Sequence, residues 1–456
     1  MNRQARRAET AQKRKRRGRQ EWVASQMESA KQAHQAGLLE DAEAAYNRIL
    51  EQNPDQPEAL HYKGILLHQQ GRSADGIAHL TRAISSRPPD AELFNNLGNI
   101  YRESGRTEDA VVAYQKSLAV NPQHVDALSN LGAAQLHLGA ANEALAALNK
   151  AITLSPGHAS AHMNLGAAQR KLGRLTEAIE SYRTAITLQP GLASAYSHLS
   201  RLLLKVGRPD DATEVYRRWL VQDPDNPIAR HMVAAATGRD TPPRASDDYV
   251  AATFDSFADT FDTVLDGLGY RAPELIGSVI KARFRSVTAE LDVLDAGCGT
   301  GLCGPLLRPI ARYMAGVDLS PRMIDKARGR GKYDQLEVAE LTGYLSAHSH
   351  QFDLIVSADT LCYFGKLEQV VSAAFGALRH GGTMIFTLEH LSDPAADQAY
   401  RLNAHGRYSH CPDYAQTVLI ETGFTVLSVS SETLRQEGGA GVSGQLLVAQ
   451  RMGPTV

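Results

Sequence analysis

One acid, three alternating glycines and a second acid further on are the residues of this chain best spaced to hold a nucleotide-like ligand. Asp295 is followed by Gly297, Gly299 and Gly301, then Gly304, within LDVLDAGCGTGLCGPL. The apolar run Leu291 to Leu294 predicts a short buried strand, and the residues from Gly304 predict the start of a helix. A strand that enters a helix through glycines brings backbone N–H groups up to a ligand. Glycines turn tightly and admit a ligand where a Cβ would collide. Read literally, Gly299-Thr-Gly301-Leu-Cys-Gly304 is G-x-G-x-x-G, with Asp318 about 20 residues on, so a nicotinamide dinucleotide is one reading.

The heptapeptide Asp295-Ala-Gly297-Cys-Gly299-Thr-Gly301 resembles motif I of class I S-adenosylmethionine (SAM) methyltransferases. That resemblance takes precedence over the dinucleotide reading. It implies a doubly wound α/β domain, SAM as cofactor, a loop packed on its methionine part, and Asp295 near its amino group. Tyr313 to Val317 predicts the second strand, ending at Asp318, whose two carboxylate oxygens can accept from both ribose hydroxyls. Leu319 and Met323 follow, either able to pack on the adenine. Ser320-Pro321 opens a helix, with Ser as cap and Pro at its first position. VDLSPRMIDKAR is similar to the family's second motif. Leu336-Glu337-Val338 reads as a short third strand. The resemblance then sets Glu340, followed by Leu341, at the adenine amino group; the other reading of Glu340 is a surface glutamate.

Phe352 to Ser357 is an apolar run suited to a buried strand. Ligands of parallel sheets bind beyond the carboxyl ends of the strands. Asp359, Tyr363 and Phe364 therefore face the place where the methyl group leaves, and Asp359 is counted with the cofactor contacts. FDLIVSADTLCYF resembles motif IV of the same family and lacks the Asn-Pro-Pro-Tyr sequence typical of enzymes that methylate amino groups of bases and glutamine. A helix from Leu367 to Leu378 and a strand from Thr383 to Leu388 follow. Arg407, Tyr408 and His410 are expected in a loop on the substrate side, as catalytic candidates. His410 is suited to take a proton and Arg407 to hold a carboxylate bidentately; a loop held by its own hydrogen bonds is the alternative. Phe424 to Ser430 and Gln445 to Ala449 predict the last two strands. Arg435 and EGGAGVSG lie between them, approaching the pocket or forming a mobile loop.

The elements that carry this site are preceded by a regular array. Pro54, Pro88, Pro122, Pro156, Pro190 and Pro224 recur every 34 residues. Gly64, Gly98, Gly132 and Gly166 form a small column in the same phase. Tyr46, Leu80, Tyr114, Leu148, Tyr182 and Tyr216 form a large one. The period is that of the tetratricopeptide repeat (TPR), a helix-turn-helix unit. Proline ends the second helix because it lacks an N–H and disfavours helix in the residue before it. Six repeats are expected, with small residues where paired helices cross and large ones between neighbouring repeats. Such arrays stack around a concave groove. Asn95, Asn96, Asn99, Asn130, Asn164, Arg102 and Arg170 are its candidate lining, for a protein or peptide partner. Asn96, Asn130 and Asn164 form either a peptide-binding ladder or a structural one.

The expected organisation is a basic, disordered tail (1–22), a TPR domain (23–238), a polar linker (239–248) and a methyltransferase domain with N-terminal lid helices (249–456). The fold class is thus an all-α TPR solenoid followed by an α/β, Rossmann-like, seven-stranded class I methyltransferase domain. The lid is predicted from Tyr249, Phe254, Phe257, Phe261, Val264 and Leu265 at helical spacing. The pattern YV-x3-FD-x-FA-x3-FD-x6-LGY-x2-P is similar to the opening of a bacterial group of TPR-fused methyltransferases, and that likeness covers nearly the whole chain. With 48 Lys+Arg against 50 Asp+Glu, bulk charge does not point to nucleic acid; only the basic tail could contact it. No apolar run of about 18 residues predicts a membrane span, and no apolar h-region suggests secretion. Cys298, Cys303, Cys362 and Cys411 make no C-x-x-C, so no metal or disulfide is expected, and a cytoplasmic setting is. Three uses of such a chain fit: methyl transfer to a partner recruited by the repeats, small-molecule methylation with a scaffold arm, or non-catalytic sensing of SAM.

Overall fold

A computed structural model describes residues 3–395 and 398–453, with side chains from residue 17 onward. The chain divides into two compact units between Leu202 and Leu203. The first is built of helix pairs, from Arg3–Gln35 with Leu39–Gln52 to Ala159–Lys171 with Leu175–Leu188, and the helix Ala193–Lys205 crosses the division. The small and large columns meet inside each repeat. A Cβ on Gly98 would lie 2.5 Å from the Tyr114 ring, one on Gly132 2.6 Å from Leu148, and one on Gly166 2.8 Å from Tyr182. The large residue therefore fills the crossing of its own helix pair, where the sequence placed it between repeats.

The asparagines join neighbouring repeats. Asn96 Nδ2 lies 2.9 Å from His61 Nε2, and Asn130 Nδ2 donates to Asn95 Oδ1 (3.0 Å) and Asn99 Oδ1 (3.1 Å). Asn164 Nδ2 donates to Ser129 Oγ at 3.3 Å. These amides are committed to the stack, which favours the structural reading of the ladder. The tail expectation is corrected: residues from Arg3 belong to the first helix, which runs to Gln35. Arg17 pairs with Glu21 one turn on, and Trp22 and Val23 pack against the core of the first repeat. Met1 and Asn2 lie outside the described residues.

In the second unit nine strands form one sheet among the described residues. They are β1 (Leu291–Ala296), β2 (Ala311–Asp318), β3 (Gln335–Val338), β4 (Phe352–Ser357), β5 (Leu378–His390), β6 (Tyr400–Leu402), β7 (Tyr408–His410), β8 (Phe424–Glu437) and β9 (Ala440–Arg451). Seven make the expected sheet, in the order β3-β2-β1-β4-β5-β9-β8, parallel except where β9 pairs β5 and β8. Helices cover both faces, one apolar cluster centred on Leu294, Ile355 and Phe386 and the other on Val293, Leu354 and Ile385. The short β6–β7 ribbon leaves the sheet where Glu389 and His390 pair with Ser409 and His410. β8 and β9 are longer than expected. They join through Gly438-Gly439, both with positive φ, as a two-residue hairpin turn requires. Arg435 is thus on a strand, not in a loop.

The linker expectation is also corrected. The polar break runs along residues 363–366 as a strap: Ala245 N donates to Tyr363 O (2.8 Å), while Gly365 N and Lys366 N donate to Pro243 O (2.9 and 2.8 Å). Gly238, with φ +64°, ends the preceding helix, and the prolines that follow do not leave the chain free, because their carbonyls still accept. The helix before the strap, Pro227–Thr237, packs on the same unit, with His231 Nε2 2.8 Å from Gly406 O and the His231 ring stacked on Tyr249 at 3.8 Å.

Candidate functional site

The glycine loop leaves β1 at Asp295, whose side chain is buried, and each of Gly297, Gly299 and Gly301 has positive φ. The protein itself crowds two of them. A Cβ on Gly297 would meet Thr360 Oγ1 at 2.1 Å and one on Gly301 would meet the Tyr333 ring at 3.0 Å. Gly299 alone of the three is uncrowded, a Cβ there making only ordinary contact with the Phe261 ring at 3.8 Å. Gly299 is therefore the glycine a ligand can approach.

Asp295 accepts a hydrogen bond from the Tyr333 hydroxyl at 2.7 Å. Burial pushes its pKa up to about 7; the Tyr333 bond opposes that rise and nearby Asp318 adds to it. Asp318 closes β2. Its Oδ2 accepts from Gly299 N and its Oδ1 from Ser320 N, both at 2.9 Å. Burial raises its pKa, and those backbone donors hold the rise back. The Leu319 backbone adds a third such contact, and the residue keeps part of its surface accessible at the strand end. Ser320 caps the helix Pro321–Gly329 through Met323 N (3.1 Å), as its position predicts. Met323 itself has no accessible surface, so it belongs to the core, while Leu319 keeps part of its surface. Glu340 caps the helix Leu341–Ala347: its Oε2 accepts from Gly343 N at 2.7 Å, and its buried Oε1 has no hydrogen-bond partner. Leu341 is buried beside it.

Two short helices, Asp247–Phe257 and Phe261–Gly267, occupy the stretch in which a lid is expected. Phe254, Phe257 and Phe261 cluster with ring centroids 5.5–5.9 Å apart, and Phe254 meets Tyr363 edge-on at 5.5 Å. Three aspartates fasten the lid to the loop and to the helix after β2. Asp255 accepts from Ser320 Oγ; Asp259 pairs with Arg322 (2.5 Å) and Lys326 (2.8 Å); Asp262 accepts from Thr300 Oγ1 (2.6 Å) and Arg330. Sequence reasoning read only the aromatic face of these helices; the aspartates one turn away carried the other half of the signal.

The substrate-side candidates do not converge as a catalytic group. His410, on β7, is fully buried, its Nε2 held 2.8 Å from Phe364 O and 3.2 Å from Gly365 O, its Nδ1 without a partner. Burial pushes its pKa down to about 4, so the ring is neutral and Nε2–H donates. The Tyr408 hydroxyl donates to Pro242 O at 2.7 Å. These two hold the strap and the loop after β4 in place. Arg407 Nε donates to Glu389 and its Nη2 to Glu437, at 2.6 and 2.7 Å. Arg435 bridges the same two acids and reaches Asp359 Oδ2 at 2.6 Å. Asp359 itself has φ +51°, and its Oδ1 accepts from Thr387 Oγ1 at 3.0 Å. A non-glycine residue in that conformation is strained, and here its partners hold it. Glu389 and Arg435 were not foreseen as a pair, because one ends β5 and the other lies 46 residues on, in β8.

Comparison with known proteins agrees with this geometry. A methyltransferase-domain model matches residues 294–386, and tetratricopeptide-repeat models match residues 29–91, 98–139, 125–158, 142–193 and 169–236. The malonyl-[acyl-carrier protein] O-methyltransferase of Paenibacillus sp. (strain JDR-2) is 29% identical over 199 residues, covering 40% of this chain and 72% of that protein. The protein of the same name from Acetivibrio thermocellus is 34% identical over 102 residues, covering 22% and 36%. The ubiquinone biosynthesis O-methyltransferase of Thiobacillus denitrificans is 28% identical over 107 residues, covering 23% and 46%. The match thus spans less than half of the last two relatives. Among solved structures, a thermophilic TPR protein in Thermus thermophilus is 25% identical, with TM-score 0.35, covering 40% of this chain and 98% of that one.

The residues fit SAM, the cofactor of this domain class. Asp318 ends β2 with part of its surface accessible, Glu340 Oε1 has no hydrogen bond and the Arg244 guanidinium 4.0 Å away, and only the Phe261 ring comes near the place of a Gly299 Cβ.

Proposed function

We propose that this chain, a tetratricopeptide-repeat protein with a C-terminal methyltransferase domain, transfers the methyl group of SAM to an already ionised oxygen, a carboxylate, on an acceptor brought by the repeat arm. The single observation that carries the cofactor half is Asp318 at the end of β2, a partly buried carboxylate fixed by Gly299 N and Ser320 N where a ribose would lie. SAM supplies a methyl group on a sulfonium, so the chain's residues need only bind, align and keep the site dry. Asp295 holds the amino-acid end, Asp318 the ribose and Glu340 the base, and the lid phenylalanines exclude water.

The acceptor half rests on which groups are spoken for. Arg407, Arg435, Glu389 and Asp359 are engaged with protein partners, and the basic Nδ1 of His410, though unpartnered, is fully buried. A hydroxyl acceptor would need one of them released as a base; a carboxylate needs none. The named O-methyltransferase relatives, one group acting on a malonyl carrier protein, support an oxygen acceptor and a protein-borne one. Incubation with SAM labelled on the methyl group, followed by mild alkali, tests this. Methyl esters release the label as volatile methanol; label that stays on the acceptor after alkali would contradict a carboxylate. For recruitment, Arg102→Glu with Arg170→Glu in the arm is expected to raise KM for the acceptor with kcat unchanged, and an unchanged KM would remove the arm from the reaction.

A further inference from the structure

Tyr333 lies outside every motif that the sequence singles out, yet it touches the site from below. Its hydroxyl donates to Asp295 Oδ2 at 2.7 Å. Its ring is also the surface on which the glycine loop rests. Cβ atoms built on Gly301, Gly304 and Gly316 would stand 3.0, 3.2 and 3.0 Å from it. Its own position is fixed by the next residue, since Asp334 N donates to Met314 O (2.9 Å) and Asp334 Oδ2 accepts from Met314 N (2.8 Å) on β2.

Resting on the SAM reading above, we infer that Tyr333 is a positioning residue for the cofactor's amino-acid end: it turns the Asp295 carboxylate so that Oδ1 faces the ligand ammonium. The geometry leaves little alternative use for the hydroxyl. Asp295 is only 1% exposed, and Tyr333 is the side-chain donor that the described residues give it. A buried carboxylate deprived of its donor is costly to keep ionised and free to rotate. Gly301 and Gly304 are then required by the tyrosine ring under the loop, whereas Gly299 is required by the ligand above it.

The test uses the full chain, Tyr333→Phe, and calorimetric titration with two ligands. S-adenosylhomocysteine carries the amino-acid end; 5′-methylthioadenosine shares the nucleoside but lacks it. Tyr333→Phe keeps the ring under the loop and removes only the hydroxyl. The expected result is about a tenfold loss of affinity for S-adenosylhomocysteine, in line with one hydrogen bond to a charged group, and unchanged affinity for methylthioadenosine. The pH below which S-adenosylhomocysteine affinity falls should also move upward, since the lost donor favoured the ionised carboxylate. Equal loss for both ligands would mean that Tyr333 merely supports the fold, and no loss for either would mean that its hydroxyl does not matter; both overturn the inference. Wild-type protein that binds neither ligand would instead overturn the methyltransferase reading and this inference with it.

Discussion

The two ends of the site are built on opposite principles. On the proposed cofactor side, Asp295 and Asp318 are held by a tyrosine hydroxyl and by backbone donors, Glu340 Oε1 has no hydrogen bond and a guanidinium 4.0 Å away, and Gly299 is uncrowded. On the proposed acceptor side, Glu389, Glu437 and Asp359, the last expected as a cofactor contact, are bound to Arg435 and Arg407, and Tyr408 and His410 are bound to backbone carbonyls. One side waits for donors from a ligand; the other is closed on itself and serves as a rigid wall. A methyl donor held by many polar contacts and an acceptor held by shape or by a distant arm would need that division of labour.

Breaking the wall should cost most. Arg435→Met leaves Asp359 without its charge partner and Glu389 with Arg407 as its remaining arginine, and removing one partner of a buried pair costs about 3–5 kcal/mol. Thermal unfolding should fall by many degrees; a melting point within a degree or two of wild type would show that the wall is wet and weakly coupled. Asp318→Ala comes next. It should lower affinity for S-adenosylhomocysteine about a hundredfold, through two hydrogen bonds to a charged group, with melting little changed. Glu340→Gln keeps the helix cap but turns an acceptor into a mixed group. A loss of about threefold to tenfold is expected, with a larger loss for ligands that carry the adenine amino group than for those with inosine in its place. The lid is last. Asp259→Asn removes exposed pairs worth about 0.2–1 kcal/mol, so ligand release should quicken less than about fivefold, an effect that added salt should mimic.

A pH dependence sharpens the same contrast. Asp295 has its pKa raised from the usual carboxylate range to about 7. Its hold on an ammonium group is therefore present above about pH 7 and weakens as the pH falls through that value. The folded state takes up this proton before the unfolded chain does, so Asp295 subtracts stability as the pH rises from about 4 to about 7, and a bound ligand ammonium should restore it. Affinity for methylthioadenosine should be flat over the same range.

The contrast also explains what the sequence showed. Asp295, the glycines, Asp318 and the Ser320 cap lie at fixed spacing along two adjacent strands and one turn, so local sequence is enough to find them. The repeats were legible for the same reason, each unit being a local copy. The wall was not. Glu389, Arg407 and Arg435 meet only because β5, the ribbon and β8 come together, and nothing in their spacing announces it. His410 and Tyr408 look reactive as residue types, but burial and backbone carbonyls decide their roles. The 239–248 stretch reads as a linker by composition, yet its proline carbonyls lie against the loop after β4. Tyr333 was missed because its partners, Asp295 and the loop glycines, are separated from it by a whole strand and helix.

Titration of the full chain with S-adenosylhomocysteine, wild type beside Asp318→Ala, tests the central claim most directly. Saturable one-to-one binding that the substitution removes is the predicted result. Binding that Asp318→Ala leaves unchanged, or binding of NADH in its place, would contradict it.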